Sequence, residues 1–260
     1  MSATAATLTL IGGPTVLIEL GGFRLLTDPT FDAPRSYERP GLPALVKTRG
    51  PALALDDLGR IDAVLLSHDQ HADNLDLSGR ALLPRAGAVF TTRAGAERLG
   101  GATRGLAAWE TATLEGPGGA RLFVTATPAR HGPIGIEPLS GDVVGFAIGT
   151  DQPGDSLYVT GDTVWFDGVA ETARRLSPRL VLLFAGAART RGAMHLTMDS
   201  NDAIEAAHAF AAARIVPVHT DGWTHFSESG DALAAAFAAL GFADRLTRLE
   251  PGRPTAIALA

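Results

Sequence analysis

Several short apolar runs in this chain end on or just before a histidine or an aspartate, and that arrangement restricts the fold more than any other feature. Residues 61–66 lead into Ser67-His68, residues 123–127 precede His131, residues 157–159 precede Asp162, and residues 215–218 precede His219. A continuous apolar run of this length reads as a strand buried on both faces. When successive strands of stacked sheets each deliver a polar residue at their ends, those residues gather along one edge, where loops hold them together. A lone histidine at a strand end is usually a hydrogen-bonded structural residue. Three such ends beside a loop that already carries two histidines point instead to metal ligands.

That loop is Ser67-His68-Asp69-Gln70-His71-Ala72-Asp73-Asn74-Leu75-Asp76. Imidazole and carboxylate are the ligands that hold zinc, manganese or iron. Cysteine is absent, which removes thiolate ligands and disulfides and fits a cytoplasmic location. The net charge of −6, with Lys47 the only lysine, argues against a protein that tracks nucleic-acid backbones. The longest clean apolar run, residues 180–188, is far short of the roughly 20 residues a membrane helix needs. The N-terminal Met1-Ser2-Ala3-Thr4 has no basic region, so no secretory signal is expected.

The first strands are expected at 7–11, 15–20 and 23–27, with Gly12-Gly13-Pro14 and Gly21-Gly22 as turns. A proline- and glycine-rich loop follows over 29–51, and further strands are expected at 88–92, 121–127, 143–148, 156–160, 180–184, 214–218 and 255–259. The clearest helix begins at Thr197 or Asp199 as N-cap, with Ile204, Ala207, Phe210 and Ala211 on one face. Another covers 231–240 and stops at Gly241. Strands with helices interspersed late in the chain indicate an α/β sandwich with helices on the outer faces, formed by residues 1–260 as a single domain. Residues 26–32 and 159–167 share a pattern of strand, threonine, acid, threonine, aromatic and aspartate, a hint that two similar halves place Asp28 and Asp162 in one groove.

These motifs resemble the metallo-β-lactamase superfamily over nearly the whole chain, nearest to the branch of ascorbate-phosphate lactonase and N-acyl-phosphatidylethanolamine phospholipase D. The resemblance is carried by residues 11–19 and Leu26-Thr27-Asp28-Pro29, by Leu55-Asp56-Asp57-Leu58 leading to Ser67-His68, and by His131, Gly161-Asp162-Thr163 and Pro217-Val218-His219 in that order. It implies a four-layer αββα sandwich and a metal-dependent hydrolase that cleaves a small ester, lactone or phosphodiester with a metal-bound hydroxide. The implied metal is zinc, with manganese or iron as alternatives. His68, His71 and His131 would hold the first ion, Asp73 and His219 the second, and Asp162 would bridge them. Asp73 would also orient the nucleophile, Asp28 would support a ligating histidine, and His195 or His225 would protonate the leaving group. Arg130, Arg189 and Arg191 could receive an anionic part of a small-molecule substrate. His208, on the polar face of its helix, reads as a surface residue.

Two departures stand out. The family loop reads His-x-His-x-Asp-His, whereas here an extra residue separates His68 from His71 and Asn74 stands where the last histidine is expected. Counted back from His71, Asp69 takes the first ligand position; matched at Ser-His, His68 does. The first turn also has Gly13-Pro14 where the family usually has histidine. The departures favour, as the alternative, a non-catalytic or weakly active metal-binding protein on a degenerate scaffold. An iron redox enzyme of the same superfamily ranks lower, without a partner domain or cysteines. The oligomeric state is left open.

Overall fold

Apolar residues alternating with threonine begin the chain as a meander in which β1 (Ala5–Gly12), β2 (Thr15–Leu20) and β3 (Phe23–Thr27) pair antiparallel. The computed structural model describes residues 4–190 and 192–259; residues 1–3, on which the reading of the N-terminus partly rests, and Arg191 lie outside the described residues. Within the segment expected to be a loop, β4 (Arg35–Arg39) and β5 (Leu42–Lys47) form a separate hairpin. The chain then returns as β6 (Ala63–Leu65), α1 (Leu77–Leu82), β7 (Val89–Thr91), α2 (Arg93–Leu99) and β8 (Thr103–Gly105). β3, β6, β7 and β8 pair in parallel, as strands joined by crossovers must.

The second sheet repeats this plan. β9 (Thr111–Glu115), β10 (Arg121–Pro128), β11 (Val144–Gly149) and β12 (Leu157–Val159) are antiparallel, with the short α3 (Glu137–Ser140) between β10 and β11. Then α4 (Asp167–Arg175), β13 (Leu180–Phe184), α5 (Ser200–Ala209) and β14 (Arg214–Val218) continue it with parallel pairing. After α6 (Gly230–Ala239) the chain crosses back, and β15 (Thr255–Ala258) pairs with β1 at the edge of the first sheet. Among the described residues the two large sheets have seven and six strands, in the orders β15-β1-β2-β3-β6-β7-β8 and β14-β13-β12-β11-β10-β9. In each, pairing changes from antiparallel to parallel at the strand that precedes the repeated acidic motif, β3 before Asp28 and β12 before Asp162.

Leu8, Ile18, Leu25 and Phe90 of one sheet share a buried core with Leu122, Phe146, Leu157 and Leu182 of the other. Each such side chain contributes about 2 kcal/mol of burial. Val181, Leu183 and Ile215 turn outward against Val169 of α4, Ala203 and Ala207 of α5 and Phe237 of α6. On the opposite side Leu26, Val64 and Val89 pack against Leu82 of α1 and its flanking loops. The layers are therefore helix, sheet, sheet, helix, as expected. Parallel strands point the same way, so the loops after β3 and β6 emerge at one edge of the first sheet and those after β12 and β14 at one edge of the second, the ends at which α/β sheets place their sites.

Candidate metal centre

β6 ends at Leu65, and the chain bends so that Nε2 of His68 lies 2.8 Å from Nδ1 of His71. His131, after β10, brings its Nε2 to 3.1 Å from the same Nδ1. The remaining ring nitrogens fix the tautomers. His131 Nδ1 faces the carbonyl of Leu196 at 2.8 Å and must carry a proton. His68 Nδ1 lies 3.0 Å from Ser67 Oγ, whose own proton goes to Asp28 Oδ1 at 2.7 Å, so that nitrogen is protonated too. The two Nε2 atoms therefore present lone pairs to His71, which has one proton at most to offer. Three ring nitrogens with too few protons between them are the donor set a cation completes.

Beside this triad, ligand atoms of Asp73, Asp162 and His219 gather within 4.8 Å of one another. Asp162 is shared. Its Oδ2 lies 3.6 Å from His131 Nε2 and its Oδ1 lies 3.5 Å from His219 Nε2. Among the described residues, neither oxygen of this fully buried carboxylate has a hydrogen-bond partner, nor do Asp73 Oδ1 and both ring nitrogens of His219. Burying an unpaired carboxylate is prohibitively costly without a compensating positive charge. The residues present thus fit one or two divalent cations, with Asp162 between the two positions.

The backbone is forced to build this arrangement. Asp28 and His219 hold φ of +27° and +57°, a region non-glycine residues enter at a cost, typically at functional sites. Gly161 has φ of +62°, and a Cβ there would stand 2.8 Å from Ser67 Cβ, so glycine is what lets the Asp162 loop close on the His68 loop. Asp28 supports His68 through Ser67 rather than directly. It shares the groove with Asp162, whose charge adds to the effect of burial in raising its carboxyl to about 8.

Burial, reinforced by the neighbouring imidazoles, pushes His68 well below the usual histidine range and His71 down to about 4. Both rings are therefore neutral at physiological pH. Burial opposes the ionisation of Asp73, but His225 and His219 outweigh it and hold its carboxyl well below the usual range. His219 is also opposed by burial, and the charges of Asp162 and Asp73 raise it instead. The signs give a prediction for metal-free protein. Asp28 stays protonated in the fold up to about 8 but ionises near 3.8 when unfolded, so stability falls as pH rises towards 8. His219, raised in the fold, loses its contribution in the same direction. Melting temperature should therefore fall between pH 6.5 and 8, by the equivalent of about 2 kcal/mol. A flat profile over that range would contradict the placement of these groups.

Of the residues expected to catalyse, Asp73 and His225 meet: His225 Nε2 is 2.8 Å from Asp73 Oδ2. His195 does not join them. Its ring faces Asp202 at 3.2 Å and Asp199 at 3.7 Å at the start of α5, while the carbonyl of its neighbour Leu196 reaches His131. Asp69 turns away to Arg98, with Nε 3.0 Å from Oδ2. Arg130 stacks on Phe166 and donates to the Gly132 carbonyl, and Arg189 is exposed. Sequence reasoning missed Arg39 and Leu45 of the β4–β5 hairpin, which line the mouth with His71, Asp73 and His225. A larger pocket of about 380 Å³ opens on the other side of His131, between Arg93, Leu106, Arg130 and Asp142.

The model of the beta-lactamase superfamily domain matches residues 23–220, well over half of the chain. The UPF0173 protein YddR of Bacillus subtilis is 24% identical over 258 residues, covering 94% of this chain and 97% of that protein. The crystal structure of isothiocyanate hydrolase from Delia radicum gut bacteria superposes with a TM-score of 0.81 at 22% identity, covering 97% of this chain and 99% of that one. A protein described as a possible metal-dependent hydrolase of Veillonella parvula gives a TM-score of 0.80 at 21% identity, covering 96% and 98%. At these identities the two structures speak for the fold.

Proposed function

On the premise that this chain belongs to the beta-lactamase superfamily domain family, a family of metal-dependent hydrolases, we propose that it is a cytoplasmic hydrolase cleaving a small ester, lactone or phosphodiester. The same reading sets it beside the ascorbate-phosphate lactonase and N-acyl-phosphatidylethanolamine phospholipase D branch. The observation that carries it is Asp162, buried without a donor and suspended between His131 and His219. Zinc, or manganese or iron in its place, would be held by His68, His71, His131 and Asp162 at one position and by Asp73, Asp162 and His219 at the other. Such an ion acidifies water towards neutrality and polarises the carbonyl or phosphoryl oxygen under attack.

The chain's own groups prepare the site. Burial keeps His68 and His71 neutral, with their lone pairs turned inward. Asp28, through Ser67, fixes the ring of His68, and the Leu196 carbonyl fixes that of His131. Leu45, Ala188 and Leu196 line the mouth with apolar surface that thins the water around the centre. Arg39, whose Nε and Nη2 donate to the Pro43 carbonyl, adds positive charge at the same mouth that favours an anionic substrate. The pocket beside His131 is of the size that takes a small molecule.

Elemental analysis of purified protein, with a panel of ester, lactone and phosphodiester substrates, tests the reading. Chelation should lower the melting temperature and zinc should restore it. At free metal a hundred times the dissociation constant the gain is about 2.7 kcal/mol, a shift of roughly 5 to 10 °C. Metal-free protein whose melting curve ignores zinc, manganese and iron would defeat the proposal.

A further inference from the structure

The two metal positions are unequally furnished. The first has three imidazoles, whereas the second has two carboxylates and His219 alone. The loop position that should add an imidazole to the second is Asn74, which is fully buried. Its amide nitrogen lies 3.5 Å from Ser67 Oγ, on the His68 side, and its Oδ1 has no partner among the described residues. A neutral amide oxygen is a poor substitute for a histidine towards a zinc-like ion.

Another imidazole arrives at the same place from a different element. His225, in the loop after β14, sets Nε2 2.8 Å from Asp73 Oδ2, and His219 Nε2 lies 3.7 Å from that same oxygen. One carboxylate oxygen of the second triad is thus flanked by two imidazole nitrogens. The His225 side chain is only 7% exposed. Its ring is fixed in place: Phe226 packs against both His225 and His219 with centroids 4.6 Å from each, and the His225 carbonyl accepts from Arg189 N at 2.8 Å. A ligand held this firmly before metal arrives has little entropy left to lose.

We propose that His225 is the fourth ligand of the second metal position, supplying from the loop after β14 the imidazole that Asn74 does not. This rests on reading the centre as a metal site, and it puts His225 on the ion rather than on the leaving group. A histidine that only oriented Asp73 would act from outside the coordination sphere, where its loss typically weakens binding about 10- to 100-fold.

The test is zinc titration against a competing chelator, with cobalt(II) loading of the same variants. His225→Ala should leave the first equivalent unchanged and weaken the second by more than about 100-fold, beyond the outer-sphere range. The cobalt(II) form should lose one hyperfine-shifted imidazole N–H signal. In the Asn74→His, His225→Ala double variant, tight uptake of the second equivalent and the missing signal should return, and the unchanged first equivalent shows that the single variant has folded. A second equivalent weakened less than about 100-fold, with all imidazole signals kept, overturns the inference. So does wild-type protein that takes up one equivalent only, although the hydrolase reading survives that result. Wild-type protein that takes up no metal overturns both.

Discussion

Replacing Asp162 with alanine is expected to reduce hydrolysis by about a thousandfold or more, equivalent to about 4 kcal/mol of transition-state stabilisation, while the fold stays intact. Both parts follow from its position. Its two oxygens face His131 at 3.6 Å and His219 at 3.5 Å, so on the proposed reading one deletion would strip a ligand from both metal positions. Among the described residues no donor engages either oxygen, so no hydrogen bond is broken. In metal-free protein the substitution removes a buried carboxylate that no hydrogen bond serves but also its attraction to His219, so the melting temperature should change little. The stabilisation gained on adding zinc should largely disappear. His131→Ala should lose activity to a similar extent. His208 is the control, being exposed on α5 with its ring edge-on to Phe242, and His208→Ala should stay within about 0.5 kcal/mol of wild type with full activity. Circular dichroism, melting and turnover on all three variants settle the matter. If His208→Ala is as damaging as the others, or Asp162→Ala keeps its activity, the division between centre and surface is wrong.

The sheets were legible because their strands are apolar on their own account. Residues 15–20, 23–27, 180–184 and 214–218 form strands with the bounds expected of them, and α5 starts from the Asp199 cap. The β4–β5 hairpin was not legible, since its strands are only partly buried and much of their support is distant in sequence. Lys47 pairs with the buried Asp76 at 3.0 Å, Tyr37 donates to Asp32 at 2.7 Å, and the Tyr37 ring lies 5.6 Å from that of Trp223. The edge strands β8 and β9 are short or alternate with solvent, and their pattern is faint. The centre divides in the same way. Residue type and strand-end placement indicated His68, His71, Asp73, His131, Asp162 and His219, all of which the fold brings together. What joins His225 to Asp73 is a contact across 152 positions, and Asp69 reaches Arg98 across 29; spacing in the sequence encodes neither. For His195 the local motif was suggestive, but Asp199 and Asp202, four and seven residues on, claim its ring.

The ambiguity of the metal loop has a definite expected outcome in zinc titration: His68→Ala loses the tight site, weakening it by more than about 100-fold, and Asp69→Ala keeps it within a fewfold. A helical turn starting at His68 is one way to align positions three apart, but the turn forms later, with Leu75 N donating to the His71 carbonyl at 2.9 Å. A bend over residues 67–70 brings the two rings together instead, with His68 Nε2 2.8 Å from His71 Nδ1. The bend is secured from behind, because Asp28 Oδ1 accepts from both Ser67 N at 2.9 Å and Ser67 Oγ at 2.7 Å. His68 itself is fully buried, so alanine removes an inward-facing nitrogen that no water can replace at the same point. Asp69 leaves the bend on the other side. Its carboxylate is taken by Arg98 of α2, and its carbonyl accepts from Arg80 Nη2 at 3.3 Å. Asp69→Ala breaks that ion pair and frees a half-exposed arginine to solvent, a cost to stability rather than to the metal. Melting curves recorded with the titrations separate the two effects: His68→Ala should lose the zinc-induced shift, and Asp69→Ala should melt lower with the shift preserved. The opposite order, with the tight site lost on removing Asp69 and kept without His68, would make Asp69 the ligand and leave the buried imidazole a structural residue.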